Sequence, residues 1–308
     1  EASFTQAIAI KPDYAEAQHN LVELLTGHNP QKKSTQPIVM VDQEIKKISL
    51  RTKNTEVISD DKIIHLLEKS SNIIKMHGLD LGTDSLQTYR RNSVDLNCGR
   101  HMKIFEKFEI IPRFCFGCYK VQLEPGSVLE LIKLFVIFDQ IKLSENNIRK
   151  CMIEIRPEIS GFYKGLIYCS SLEEAYQIAD YVGIVVKEKL GFAVPVAVKR
   201  GCSEYPLVFP DYKVINKSGT PLMDYDEDWQ VIEEGYDLKN SNKTVRSIPP
   251  SLSCLSLSDV LIIQNWIDYA NGIGDLSAKS LNQDGVVSHK VYEIAKARSE
   301  TYPWRGVS

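Results

Sequence analysis

Four soft side chains are the first candidates for chemistry: Cys98 with His101, then Cys115 with Cys118. Two close pairs, each with two residues between its members, suit a tetrahedral zinc ion, because each pair bridges one edge of the tetrahedron. A site of this kind is expected to be closed and structural, stapling the stretch around Tyr89–Lys107 to the strand that begins near residue 118. An extended backbone over 115–118 would send the two thiols to opposite faces, so Gly117 has to supply a turn. Two other readings of the same residues stand beside zinc: reduced cysteines in a core with an ordinary polar histidine, and a redox pair. Cys202 is a further candidate. It follows Lys199-Arg200-Gly201, and two cations beside a glycine turn can lower a thiol pKa and make it a nucleophile. The alternative is a structural thiol at the end of a strand.

Other motifs fail on inspection. Asp224, Asp226 and Asp228 imitate the start of a calcium-binding loop, but Trp229 stands where that loop needs glycine and Gly235 where it needs glutamate. Seven acidic residues and no basic one between 218 and 238 make this stretch, 216–250, an expected acidic loop. No phosphate-binding glycine loop, nucleophile elbow, H-E-x-x-H or dinucleotide fingerprint occurs.

The chain that must position these residues has 308 residues, 43% hydrophobic and 25% charged, with a formal net charge of -3. That composition excludes a disordered tail, a collagen-like chain and a disulfide miniprotein. No apolar run approaches the roughly 20 residues of a membrane span. The near-neutral charge argues against nucleic acid as the general partner while leaving room for a local basic face. Seven cysteines, an odd number with no secretory leader pattern, point to reduced thiols and a cytoplasmic setting.

Periodicity then supplies the elements. Ser59-Asp60-Asp61 caps a helix that runs to Gly78. From residue 118 the pattern alternates: a strand over 118–123, a helix over 127–141, strands over 150–156 and 162–169, a helix over 172–190, and a strand over 194–200. The order β-α-β-β-α-β is that of a ferredoxin-like domain. With side chains alternating along each strand, Val121, Ile153, Ile155, Ile167, Val196 and Val198 face the helices. The other face carries Lys120, Gln122, Glu154, Arg156, Lys164, Leu166, Tyr168 and Lys199, which makes it positive. Lys120, Arg156, Lys164, Tyr168 and Lys199 are therefore the candidate ligand-binding residues, for an anionic small molecule. A helix over 259–270 follows, with Trp266 expected in the core, and then an aromatic tail, Tyr302-Pro303-Trp304-Arg305.

At the N-terminus, Phe4, Ala7 and Pro12 end one amphipathic helix, and Ala15, Ala17, Leu21, Leu24 and Leu25 mark a second. This spacing resembles the tetratricopeptide repeat, with Val22 where that family usually has glycine and Gln18 where it often has an aromatic residue. The resemblance covers residues 1–26 and implies the C-terminal end of a longer repeat array that binds a protein partner. Lys164-Gly165-Leu166-Ile167-Tyr168 is also similar to the third-strand motif of RNA-recognition domains, with Leu166 in place of one stacking aromatic. Residues 113–213 hold 13 basic and 12 acidic groups, which offers RNA no charged footprint.

The expected organisation is α+β: a tetratricopeptide-like hairpin (1–26), a linker (27–58), a helix and basic segment (59–112), a ferredoxin-like domain (113–215), the acidic loop (216–250), and a C-terminal helix with its tail (251–308). The expected function is a protein-binding module whose α/β domain offers a basic face to an anionic ligand, with a zinc site as its one cofactor. Two alternatives are an enzyme using Cys202 or the Cys/His cluster, and an RNA-binding module.

Overall fold

A computed structural model describes residues 1–30, 34–49, 56–91, 96–215, 219–240, 254–281 and 286–304. The first two helices, α1 (Ala2–Ile10) and α2 (Ala15–Gly27), pack as a hairpin. Leu21 and Leu25 of α2 are fully buried and join the main core, because α2 also rests on the long helix α11 (Leu257–Ile273). The hairpin thus packs onto the same core as the rest of the chain.

Within the stretch that reads as a linker, Pro37–Ile45 forms a helix, α3, with Pro37 in its first turn and Gln36 capping Val39 N–H at 3.0 Å. Ile38, Val39, Val41 and Ile45 are buried there, so only part of 27–58 connects. Helix α4 (Asp60–Met76) begins where its cap predicts, with Ser59 Oγ accepting from Lys62 N–H.

The centre is one antiparallel sheet with strand order β1-β3-β4-β2-β5. Its strands are β1 (Gln87–Arg90), β2 (Tyr119–Leu123), β3 (Arg149–Ile153), β4 (Tyr163–Cys169) and β5 (Val196–Arg200). Strand β1 has no counterpart in the sequence pattern. Two short helices, α5 (Cys98–Phe108) and α6 (Arg113–Phe116), lie between β1 and β2. Helix α7 (Val128–Gln140) covers β3 and β4, α8 (Leu172–Leu190) covers β2 and β5, and α11 lies beside α7 over β1 and β3. Both α7 and α8 start at a serine whose hydroxyl accepts from the backbone three residues on, and α8 stops at Gly191 with φ of 85°. Gly165 of β4 is required for this layer. A Cβ there would sit 2.4 Å from Leu134 and 3.0 Å from Phe138 of α7. Trp266 is fully buried in the core, as its spacing predicts.

Helix α9 (Tyr205–Val208) follows β5, and the acidic stretch forms α10 (Trp229–Asn240) rather than a loop throughout. The last helix, α12 (His289–Thr301), crosses α11 so closely at Gly272 that a Cβ there would lie 2.5 Å from Ala295. The protein is therefore α+β. No helix among the described residues is long and apolar enough to cross a membrane.

Candidate functional site

The sheet face opposite α7 and α8 is assembled by register. Lys120 on β2 lies between Tyr168 of β4 and Lys199 of β5. On β3, Lys150 lies between Tyr89 of β1 and Leu166 of β4, and Met152 lies between Gln87 and Lys164. Alternation then puts Gln87, Tyr89, Lys120, Gln122, Lys150, Met152, Lys164, Leu166, Tyr168 and Lys199 on one face.

The face divides into two electrostatic regions. At one end Glu154, 1% exposed, takes two hydrogen bonds of 2.7 Å from the Arg156 guanidinium and one of 2.8 Å from Lys164 Nζ. Arg156 also reaches Glu204. Burial alone would raise the Glu154 pKa, but Arg156 and Lys164 overcome it and hold the carboxyl down to about 2. Two of the five candidate ligand-binding residues, Arg156 and Lys164, are therefore already occupied by an internal carboxylate.

The other end differs. Lys120, 8% exposed, has its Nζ 3.8 Å from Cys202 Sγ and 5.5 Å from the Tyr168 ring centre. Lys150 Nζ donates to Gln87 Oε1 at 3.1 Å and lies 5.7 Å from the centre of the Tyr89 ring. Among the described residues no carboxylate comes within ion-pair distance of Lys120, Lys150 or Lys199, in contrast to Lys164. Burial, reinforced by the charge of Lys120, pushes the Lys150 pKa down to about 8. Burial also lowers that of Lys199, opposed by Glu124 and reinforced by Lys120. Cys202, whose thiol lies against Lys120, belongs to the same region.

The four zinc candidates lie in different surroundings. Residues 113–116 form a helical turn, with Cys118 N–H donating to Cys115 O, so Gly117 does supply the turn the zinc reading needs. Yet Cys115 is buried beside Tyr205, sharing a 3.2 Å hydrogen bond with its hydroxyl, and burial drives its pKa far up. His101 stacks on Phe114 at 5.1 Å. Cys98 is exposed at the start of α5. Among the described residues no three His, Cys, Asp or Glu side chains form a group that could hold a metal ion. Cys118 faces burial that pushes its thiol up to about 11. Cys202 is half-buried against the small aromatic core of Phe105, Tyr205 and Tyr212.

Part of the basic segment is paired from within the chain. Arg100 of α5 forks onto Asp237 with two bonds of 2.7 Å and reaches Glu233 at 3.0 Å. Glu233 also accepts from Arg113 N–H and Tyr225 O–H. Arg100 of α5 is thus paired with Glu233 and Asp237 of acidic α10. The aromatic tail docks as well: Tyr302 and Trp304 join Phe162, Pro125 and Pro195 around a cavity of about 510 Å³. Arg305 lies outside the described residues.

Sequence reasoning missed Tyr89, Gln87 and Lys150. Lys150 carried a signal, since it shares the parity of Glu154 and Arg156 along the strand expected over 150–156. Tyr89 and Gln87 carried none, because β1 is four residues long. No family model, curated protein or solved structure matches the chain.

The Glu154 cluster yields a pH prediction. Its carboxyl is depressed in the folded state, so its contribution is complete above the ordinary glutamate pKa near 4.5 and is lost as pH falls toward 2. The loss should amount to on the order of 3 kcal/mol. Urea unfolding at pH 6 and pH 3 should show about 2 kcal/mol of this fall in the wild type, the rest coming below pH 3, and a clearly smaller one in Glu154→Gln. Equal falls in both proteins would remove Glu154 as the origin.

Proposed function

We propose that the protein is a binding module that takes a small anion on the sheet face around Lys120 and Lys150. One observation carries this reading: two substantially buried lysines lie on the same face, and no described carboxylate pairs with either. Burying a cation without a counter-charge costs several kcal/mol, and a bound anion would remove that cost. Lys199 lies beside Lys120 in register and adds to the positive potential. Gln122, Tyr168 and Tyr89 are polar neighbours able to orient the ligand. The strand order β3-β4-β2-β5, linked through α7 and α8, supports reading this unit as ferredoxin-like. The α1–α2 hairpin supports a tetratricopeptide-type unit at the N-terminus, a class that recruits protein partners.

Pyrophosphate titration followed by thermal unfolding tests the anion site. A ligand that binds only the native state at 100 times its Kd stabilises it by about 2.7 kcal/mol. The wild type should gain a saturable rise in Tm. Lys120→Met should weaken pyrophosphate binding about tenfold, in line with loss of one charge-assisted contact. Lys69→Met, on α4 away from this face, should change nothing. A Tm unaffected by pyrophosphate, or equally affected in all three proteins, would overturn the reading.

A further inference from the structure

The cavity bordered by the aromatic tail lies at one end of the sheet, where β2 finishes and where β4 and β5 begin. Glu124 and Pro125 follow β2, Gly161 and Phe162 precede β4, and Pro195 precedes β5. Lys120 is four extended residues back from Glu124, about 13 Å along the strand. We propose that this cavity binds the quaternary ammonium head group of a small organic cation, a site separate from the anion-binding lysines.

The lining is rich in ring faces and acceptors and poor in donors. Rings of Phe162, Tyr302 and Trp304 border it, with the Phe162 and Tyr302 centres 5.3 Å apart and their planes inclined at 55°. Pro125, Pro195 and Pro303 have no N–H to offer. The N–H groups of Glu124, Gly126 and Tyr302 are engaged by Pro195 O at 3.0 Å, Glu130 Oε2 at 2.8 Å and Arg298 O at 2.8 Å. The Tyr163 hydroxyl donates to Asp275 Oδ2 at 2.7 Å. An anion would therefore find few partners here. Glu124 is the one carboxylate of the lining. Its Oε1 accepts from Gln122 Nε2, and among the described residues no cation lies within ion-pair distance of it, in contrast to Glu154. Lys199, on which Glu124 acts electrostatically, stays outside that distance. Gly161, with φ of 81°, keeps the carboxylate open to the cavity, since a Cβ there would stand 3.9 Å from Glu124 Cδ and 4.0 Å from Oε2.

Two of the rings are already held by a cation from within the chain. Arg298 is 3% exposed, and its guanidinium carbon lies 5.4 Å from the Phe162 centre and 5.6 Å from the Tyr302 centre. Its N–H groups donate to the carbonyls of Arg156, Ile159 and Gly161, which fixes the loop that carries Gly161 and Phe162. The Arg298 charge is thus met by three carbonyl oxygens, and that of Glu124 remains for the cavity. Faces of Trp, Tyr and Phe attract a cation within about 6 Å, and quaternary ammonium groups are the ligands such ring clusters characteristically hold. A quaternary nitrogen has no N–H to satisfy, whereas a primary ammonium brings three donors and would find one carboxylate to receive them. The volume of about 510 Å³ falls within the roughly 300–1,000 Å³ of small-molecule sites.

Calorimetric titration of the full chain with choline tests the proposal. Choline should bind saturably at a single site. Its neutral tert-butyl analogue, with carbon in place of nitrogen, has the same shape and should bind at least about tenfold more weakly. Glu124→Gln keeps the side-chain outline without the charge and should weaken choline about tenfold, while Tyr302→Ala should weaken it about fivefold. Lys69→Met, on the exposed side of α4, should bind choline like the wild type. A trimethyl-lysine peptide should bind no more tightly than choline. Absence of saturable choline binding, equal binding of the neutral analogue, or wild-type affinity in folded Glu124→Gln would overturn the proposal. So would a preference for the peptide above about tenfold, which would assign the head group to a protein side chain instead of a free compound. If Glu124→Gln fails to fold, the comparison of choline with its neutral analogue on the wild type decides by itself.

Discussion

Arg90→Met should destabilise the protein by about 3–5 kcal/mol, the usual consequence of removing one member of a buried ion pair. Arg90 is 5% exposed and its guanidinium joins three elements. Nε donates to Asp139 of α7 at 2.9 Å, while Nη2 and Nη1 reach the two oxygens of Asp259 of α11 at 2.9 and 3.1 Å. It also lies 4.2 Å from the centre of the Phe135 ring. Asp259 closes a capping box with Ser256 at the start of α11, so the same carboxylate begins that helix and anchors it to β1. Methionine would fill much of the space but leave two carboxylates buried without a cation. Burial already raises the Asp139 pKa against the pull of Arg90, and loss of Arg90 should leave Asp139 protonated. Urea unfolding should show a lower midpoint with an unchanged slope. Arg90→Lys should recover only part of the loss, because one ammonium cannot serve both aspartates in the same geometry. A loss below about 1 kcal/mol for Arg90→Met would show that the triad contributes little net stability, as can happen when desolvation offsets attraction.

The second large effect should come from Gly201→Val, at about 3–5 kcal/mol, from a left-handed backbone cost and overpacking together. Gly201 has φ of 57°, and its N–H donates to Cys118 O at 2.7 Å. A Cβ at this position would lie 1.8 Å from Tyr212 Oη. That hydroxyl cannot swing away freely, since it donates to Cys115 O at 2.6 Å inside a fully buried ring cluster. The glycine therefore sets where the chain leaves β5 and, one residue later, where Cys202 sits beside Lys120. Gly201→Val should lower the unfolding midpoint and also reduce pyrophosphate binding through displaced Lys120 and Cys202. Tyr212→Phe combined with Gly201→Ala should restore part of the stability, because it removes the atom nearest the new methyl. Full stability in Gly201→Val would mean that the aromatic cluster can shift at little cost.

The sequence by itself determined the alternating strands and helices between residues 118 and 200, because a two-residue period and serine caps are local properties. Ser127 and Ser171 begin α7 and α8 where their spacing predicts, and Lys120, Lys164, Tyr168 and Lys199 share a face for the same reason. Tertiary structure decided the rest. Strand β1 is four residues long, too short for a period, and depends on pairing with β3 and on the Arg90 triad. That pairing brings Tyr89 and Gln87 to Lys150. Residues far apart in sequence also decide which charges stay available. Glu154 occupies Lys164 and Arg156, and α10 occupies Arg100, so a count of basic residues overstates the free positive surface. The Cys/His spacing is compatible with a metal, but packing turns Cys115 toward Tyr205 and stacks His101 on Phe114. Spacing constrains which donors can meet, whereas burial and aromatic packing decide where each side chain points.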